Sequence, residues 1–239
     1  MKRVAIIAAF SGELKPLVRG WARKSRGGVG LWLRRHADGE WVAACAGIGA
    51  DAAARAFTEV ERDGPVDMVI STGWAGALSA DFAAGRAFGV CGVIDARTGE
   101  RFPASGSGDV WLVTSHRVAG EAEKLRLAAA HGAGLVDMEA AQVARLAAAR
   151  GIPFLCVKGV SDGPSERLPD FNLFIAKDGR FQMARFILFA AVRPWLWPAL
   201  VRMDGNGRKS ARSMRESLLG VLEGRGADGR RNGSPDPER

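Results

Sequence analysis

The sequence predicts an α/β protein of three layers, α/β/α, on a central mixed sheet. Short apolar runs recur along the chain, of the kind that strands covered on both faces require. Alanine-rich stretches with helical spacing lie between several of them. Glycine-rich turns follow the runs, and hairpin signals between others make the sheet mixed rather than wholly parallel.

Val4–Ala9 reads as a first buried strand ending at Ser11-Gly12. Trp32-Leu33 and Trp41–Cys45 read as a hairpin pair joined by Ala37-Asp38-Gly39-Glu40. Gly47-Ile48-Gly49 leads into a helix over about 51–61, and Pro65–Ile70 enters a strand ending in a Thr72-Gly73-Trp74-Ala75-Gly76 turn. A polar hairpin region is expected over 88–110, a strand at Trp111–Ser115 and a helix at Ala119–Ala130. In the next helix Ala140, Val143, Ala144, Leu146 and Ala147 recur at helical spacing, and Gly151-Ile152-Pro153 stops it before the strand Phe154–Val157. A helix from Phe181 to about Val192 is broken by Pro194-Trp195-Leu196-Trp197-Pro198, and a weak helix is expected around Arg212–Leu222. One domain over 1–203 is expected, followed by a basic, partly disordered tail over 204–239.

Hydrophobic content of 47% and charged content of 25% are ordinary for a soluble protein. The first apolar stretch is too short for a signal peptide or a spanning helix, and a cytoplasmic protein is expected. Cys45, Cys91 and Cys156 lack metal-ligand spacing and read as reduced thiols; no metal is expected. The net charge of +8 comes largely from an arginine-rich composition, with no reader motif or aromatic-interleaved basic stripe, so no nucleic-acid partner is expected. Residues 181–202 form an unusually apolar run flanked by Arg185, Arg193 and Arg202. It reads either as a last helix packed on the sheet, the commoner fate of so short a run, or as a peripheral contact with the inner membrane face.

Three carboxylates stand at element ends, where α/β proteins build sites: Glu13 beyond the first strand, Glu139 at a helix start and Asp162 at a strand end. Each has a bland reading, as a first-turn glutamate or an N-cap. Their order, however, resembles the nucleoside phosphorylase and nucleosidase superfamily, especially the branch that cleaves adenine nucleosides. The residues carrying the resemblance are Ile6–Glu13, Gly47–Gly49, Thr72–Gly76, Met138-Glu139-Ala140 and Ser161-Asp162. The resemblance implies a phosphorylase/hydrolase-like fold and the cleavage of a purine N-glycosidic bond. It implies Asp162 as the general acid toward purine N7, with Ser161 beside it, and Glu13 as the group that activates or orients the nucleophile. Glu139 would bind the ribose hydroxyls, Met138 would wall the sugar, and the Arg117-Val118 backbone would cradle the base. Thr72 and Gly73 would lie against the substrate; Ser11, Gly12, Gly47, Gly49 and Lys158 would hold the nucleophile.

Ala46, Trp74 and Ala77 depart from the superfamily's usual Ser, smaller residue and second Gly, and the segment between Gly76 and Met138 is shorter. A narrower resemblance covers Thr114–Val118, Glu123-Lys124, Val136–Glu139 and Arg193–Pro198. These look like the phosphorylase-type proteins of hopanoid biosynthesis, which remove adenine from adenosylhopane. The implied substrate is a nucleoside with a lipid-like 5′ substituent, and the implied assembly a homo-oligomer. No cofactor is expected, and inorganic phosphate stays open beside water as co-substrate. The alternatives are a methylthioadenosine/adenosylhomocysteine nucleosidase and a non-catalytic nucleoside-binding or membrane-peripheral protein.

Overall fold

A computed structural model describes residues 2–37, 39–106, 108–166 and 168–223. Ten strands form one mixed sheet: β1 (Lys2–Ala8), β2 (Ala22–Arg26), β3 (Val29–His36), β4 (Gly39–Cys45), β5 (Met68–Ala77), β6 (Ala87–Asp95), β7 (Arg101–Pro103), β8 (Val110–Thr114), β9 (Leu135–Asp137) and β10 (Phe154–Asp162). The helices are α1 (Ser11–Leu14), α2 (Ala50–Glu61), α3 (Glu121–His131), α4 (Ala140–Arg150), α5 (Met183–Ala191) and α6 (Trp197–Leu222). β1 runs parallel between β4 and β5, and β4, β3 and β2 extend the sheet as antiparallel neighbours. At the other end the sheet closes on itself. β10 pairs with both β5 and β6, and β6–β8–β9–β5 completes a ring.

Both faces are covered, as the apolar runs require. Ala5 and Ile7 of β1 pack on the side of α2 and α4, with Ala53, Phe57 and Val143. Val4, Ile6 and Ala8 alternate to the opposite side, against Leu14, Ala211, Met214 and Leu218. The two-residue period of one strand thus supplies two cores.

The structure revises three expectations. Residues 72–76 are not a turn: β5 continues through them because β10 pairs alongside, Lys158 opposite Gly73 and Gly159 opposite Trp74. The domain boundary at 203/204 falls inside α6, whose Ser210, Ala211, Met214 and Leu218 are buried against the sheet, so 204–222 belongs to the domain rather than to a tail. The remaining end of the expected tail, 224–239, lies outside the described residues. The short strands β2 and β9, unread in the sequence, complete the sheet edge and the ring. Gly207 lets α6 approach, for a Cβ there would stand 3.3 Å from the Trp74 indole, whose Nε1 donates to the Gly207 carbonyl at 3.1 Å. The bulky residue that departs from the superfamily pattern is therefore matched by a glycine across from it.

Candidate active site

The ends of β1, β5, β9 and β10 meet α1, α5 and α6 around a cavity of about 680 Å3. Ser11, Gly12, Glu13, Val118, Met138, Glu139, Ser161 and Asp162 all line it. Sequence reasoning placed these eight together across 150 residues of chain, and the sheet brings them to one end.

Glu139 faces the cavity because others cap its helix. Asp137 accepts the Ala140 amide at 2.9 Å and Thr114 Oγ1 accepts the Ala141 amide at 3.0 Å, satisfying donors a first-turn carboxylate would otherwise serve. Glu139, 8% exposed, instead accepts from the Gly49 amide at 2.7 Å. Burial, with the Asp137 charge beside it, pushes its carboxyl up to about 8 against the pull of Lys158. A carboxyl raised in the folded state binds its proton there between its ordinary 4.5 and about 8, so stability falls as pH rises through that window. Glu139→Gln removes the titration while keeping an oxygen for the Gly49 amide. The variant is expected to melt near the parent at pH 5 and about 6 °C above it at pH 8, on the order of 2 kcal/mol. Equal melting temperatures at both pH values would contradict this assignment.

Glu13 is held from two elements. Its carboxylate accepts from the Phe10 amide at 2.7 Å and from the Trp74 amide on β5 at 2.7 Å. Burial raises its pKa while the Phe10 and Trp74 amides and the Lys158 charge oppose the rise. Gly73, at φ +125°, makes room: a Cβ there would meet Glu13 Oε1 at 2.8 Å. Gly73 thus shapes the site from behind, and neither it nor Thr72 lines the cavity. Thr72 Oγ1 instead donates to Met214 Sδ at 3.5 Å. Gly47 also lies off this cavity, with its amide donating to the Ala9 carbonyl at 3.1 Å.

Lys158 departs from the expectation of a nucleophile-binding cation. It is fully buried beneath the cavity, paired to Asp137 at 2.8 Å and donating to the Thr72 carbonyl at 3.3 Å. Burial pulls its pKa down, but Asp137, Cys156 and Glu139 more than offset this and hold it above its ordinary value. A side chain committed to a buried carboxylate is an internal counter-ion to the acidic cluster.

Asp162 ends β10 at 8% exposure. Ser161 Oγ donates to its Oδ1 at 2.5 Å, while Oδ2 forms an ion pair with Lys124 Nζ. That ammonium also donates to the Gly163 carbonyl at 2.6 Å. Lys124, 2% exposed on α3, is a site residue to which sequence reasoning gave no role, as is Asp137. Both residues fall within motifs of the narrower resemblance, Glu123-Lys124 and Val136–Glu139, which marked the positions without assigning them a role.

The Val118 backbone, expected to cradle a base, already has a partner. Asn172 Oδ1 accepts from the Val118 amide at 2.8 Å and Asn172 Nδ2 donates to the Val118 carbonyl at 3.1 Å. Asn172 sits on a 3-10 turn, Phe171–Phe174, whose phenylalanines pack against Phe181 and Phe186. Phe171, Phe181, Phe186, Met183, Leu200 and Met203 make much of the remaining wall apolar, with Arg117 and Asp204 also lining it. Among the described residues, no cluster of His, Cys, Asp and Glu is arranged to hold a metal ion.

The mixed sheet closed into a ring, with buried carboxylates at strand ends around the cavity, can be set beside known proteins. Residues 106–192 match the Phosphorylase superfamily. Similar solved structures include the 5′-methylthioadenosine/S-adenosylhomocysteine nucleosidase of Helicobacter pylori with butyl-thio-DADMe-Immucillin-A, at 17% identity and TM-score 0.70 over 93% of this chain and 98% of that one. Futalosine hydrolase of H. pylori strain 26695 is similar at 16% identity and TM-score 0.70, over 93% and 97%. The Arabidopsis thaliana 5′-methylthioadenosine nucleosidase is similar at 17% and 0.70, over 93% and 95%. No curated protein sequence matches the chain significantly. The family match thus covers 106–192, and the likeness of fold to the nucleosidase structures extends over 93% of the chain.

Proposed function

We propose that the protein releases adenine from a nucleoside bearing an apolar 5′ substituent, by attack of water on the ribosyl carbon. The observation that carries the reading is the single cavity that joins Glu13, Glu139 and Asp162 at its polar end to an apolar chamber beyond. Breaking a purine N-glycosidic bond leaves positive charge on the ribose and negative charge on the purine. Asp162 supplies the proton that neutralises the departing base, and Lys124 beside it resupplies that proton. Glu139 accepts the ribose hydroxyls, and Met138 packs against the sugar. Glu13 orients the water and takes its proton as the new C–O bond forms.

Water is favoured over phosphate by the charges at the Glu13 end. Ser11, Gly12 and Glu13 line it, while Lys158 is spent on Asp137 beneath. An oxyanion there would face a carboxylate at close range. Phosphate-free buffer is therefore expected to support full adenine release, with less than about twofold change on adding phosphate; a strict phosphate requirement would overturn the hydrolytic reading. The narrower sequence resemblance makes adenosylhopane the substrate of choice, and the apolar chamber suits it. The structural likeness to methylthioadenosine nucleosidases favours a second reading, so the assay includes both nucleosides and inosine. Preference for methylthioadenosine would select that second reading.

A further inference from the structure

Seven of the nine exposed large apolar side chains among the described residues lie between 183 and 201. Ile187, Leu188, Val192, Trp195 and Val201 are each between 58% and 72% exposed, an unusual concentration for one short segment. On α5 the helical period turns Met183, Ile187, Leu188 and Val192 outward, while Phe186, Phe189 and Ala190 turn in. α5 and the following segment meet at 107°, and Trp197 Nε1 fixes the corner by donating to the Ala190 carbonyl at 2.9 Å. No single described helix is long and apolar enough to cross a membrane. Together the two segments have the length and composition of a bent span, but the far half of α6 is anchored in the core through Ala211, Met214 and Leu218, which favours a corner lying on a bilayer.

The charge around the corner decides what covers it. Residues 175–204 carry Lys177, Arg180, Arg185, Arg193 and Arg202 against Asp178 and Asp204; Arg180 pairs with Asp178 and Arg202 with Glu166, which still leaves the segment net basic. A two-fold contact with a second copy would set this basic group against itself, whereas an anionic lipid surface complements it. Tryptophan and arginine at the edge of an apolar face match the boundary between acyl chains and headgroups.

The corner also borders the cavity. Met183 is 56% exposed on the outer face and at the same time lines the cavity, with Phe186, Leu200 and Met203 behind it. We infer that the α5–α6 corner docks on an anionic lipid bilayer, with the cavity mouth at Met183 turned toward the acyl chains. This deepens the proposed function, resting on its apolar-substituted nucleoside: such a substrate would pass from bilayer to cavity without crossing water.

The test is co-sedimentation of the full chain with vesicles of phosphatidylglycerol and phosphatidylcholine, or of phosphatidylcholine alone. The protein is expected to bind the anionic vesicles preferentially. The triple variant Ile187→Glu, Leu188→Glu, Trp195→Glu should bind them at least ~10-fold more weakly. Leu125→Glu, an exposed apolar position on α3, should bind like the parent. Adenine release from a soluble nucleoside, within about twofold of the parent, shows that the triple variant is folded; should it not fold, Leu188→Glu alone should weaken binding about threefold. Absence of vesicle binding by the parent, or equal binding by the variants, overturns the inference. So does light scattering that shows the parent self-associating through this face and the triple variant monomeric. Expected vesicle binding without turnover of any nucleoside would leave the docking intact and remove the proposed function instead.

Discussion

Asp162→Asn is expected to lower adenine release about 10³-fold, within the range a positioned general acid contributes. The amide keeps the shape of the carboxylate and one oxygen for Lys124 Nζ, with its NH2 turned to Ser161 Oγ, which can accept as well as donate, but it has no acidic proton to give the purine. Because Lys124 is nine-tenths buried, loss of its anionic partner costs stability as well. Thermal melts must therefore accompany the kinetics, and the double variant Asp162→Asn, Lys124→Met removes the stranded charge. Both variants should be inactive on adenine nucleosides, the double one melting higher than the single. Turnover near parental in a folded Asp162→Asn protein would remove Asp162 from the chemistry.

The second large effect belongs to Lys124. On the proposed mechanism the ammonium is the store: one proton would move from Nζ to Asp162 and on to the purine, and return from water after product leaves. Lys124→Met leaves Asp162 without its ammonium partner. Adenine release by a folded Lys124→Met variant is therefore expected to fall about 10²-fold. Lys124→Arg separates charge from proton supply, since a guanidinium does not deprotonate. If it restores the parental rate, Lys124 only positions Asp162, and the proton-store role is lost.

The carboxylates of the site were legible in the sequence because each follows a recognisable turn or strand end. Their partners were not. Lys124 lies in a helix start among Glu121, Glu123 and Arg126; the narrower resemblance marked the Glu123-Lys124 pair, but nothing in its local pattern shows that the lysine is buried. Its burial follows from ring closure, which brings the end of β10 beneath α3 through pairings far apart in sequence. The last helix was hidden in a similar way. Gly205, Gly207 and a run of arginines suggest a solvated tail, and the face that packs is built from Ser210, Ala211, Met214 and Leu218, with little bulk to mark it. Small residues are what close contact with β10 demands: a Cβ on Gly159 would stand 2.9 Å from Ser210 Cβ. β5 was cut short in the reading because Thr72–Gly76 has turn composition, and only pairing with β10 holds it extended.

The Asn172 side chain presents one acceptor and one donor, side by side, to the backbone of Val118. The amidine edge of adenine carries the same pair, a ring nitrogen that accepts and an amino group that donates. On the proposed function, Asn172 is an internal mimic of the base. A nucleoside reading this backbone would first have to evict it, so its apparent affinity would be its intrinsic affinity scaled by the fraction of molecules in which Asn172 has let go. Ligands unable to form both hydrogen bonds would not compensate for that eviction, and one asparagine on a phenylalanine-rich turn would then discriminate among bases before any bond is broken.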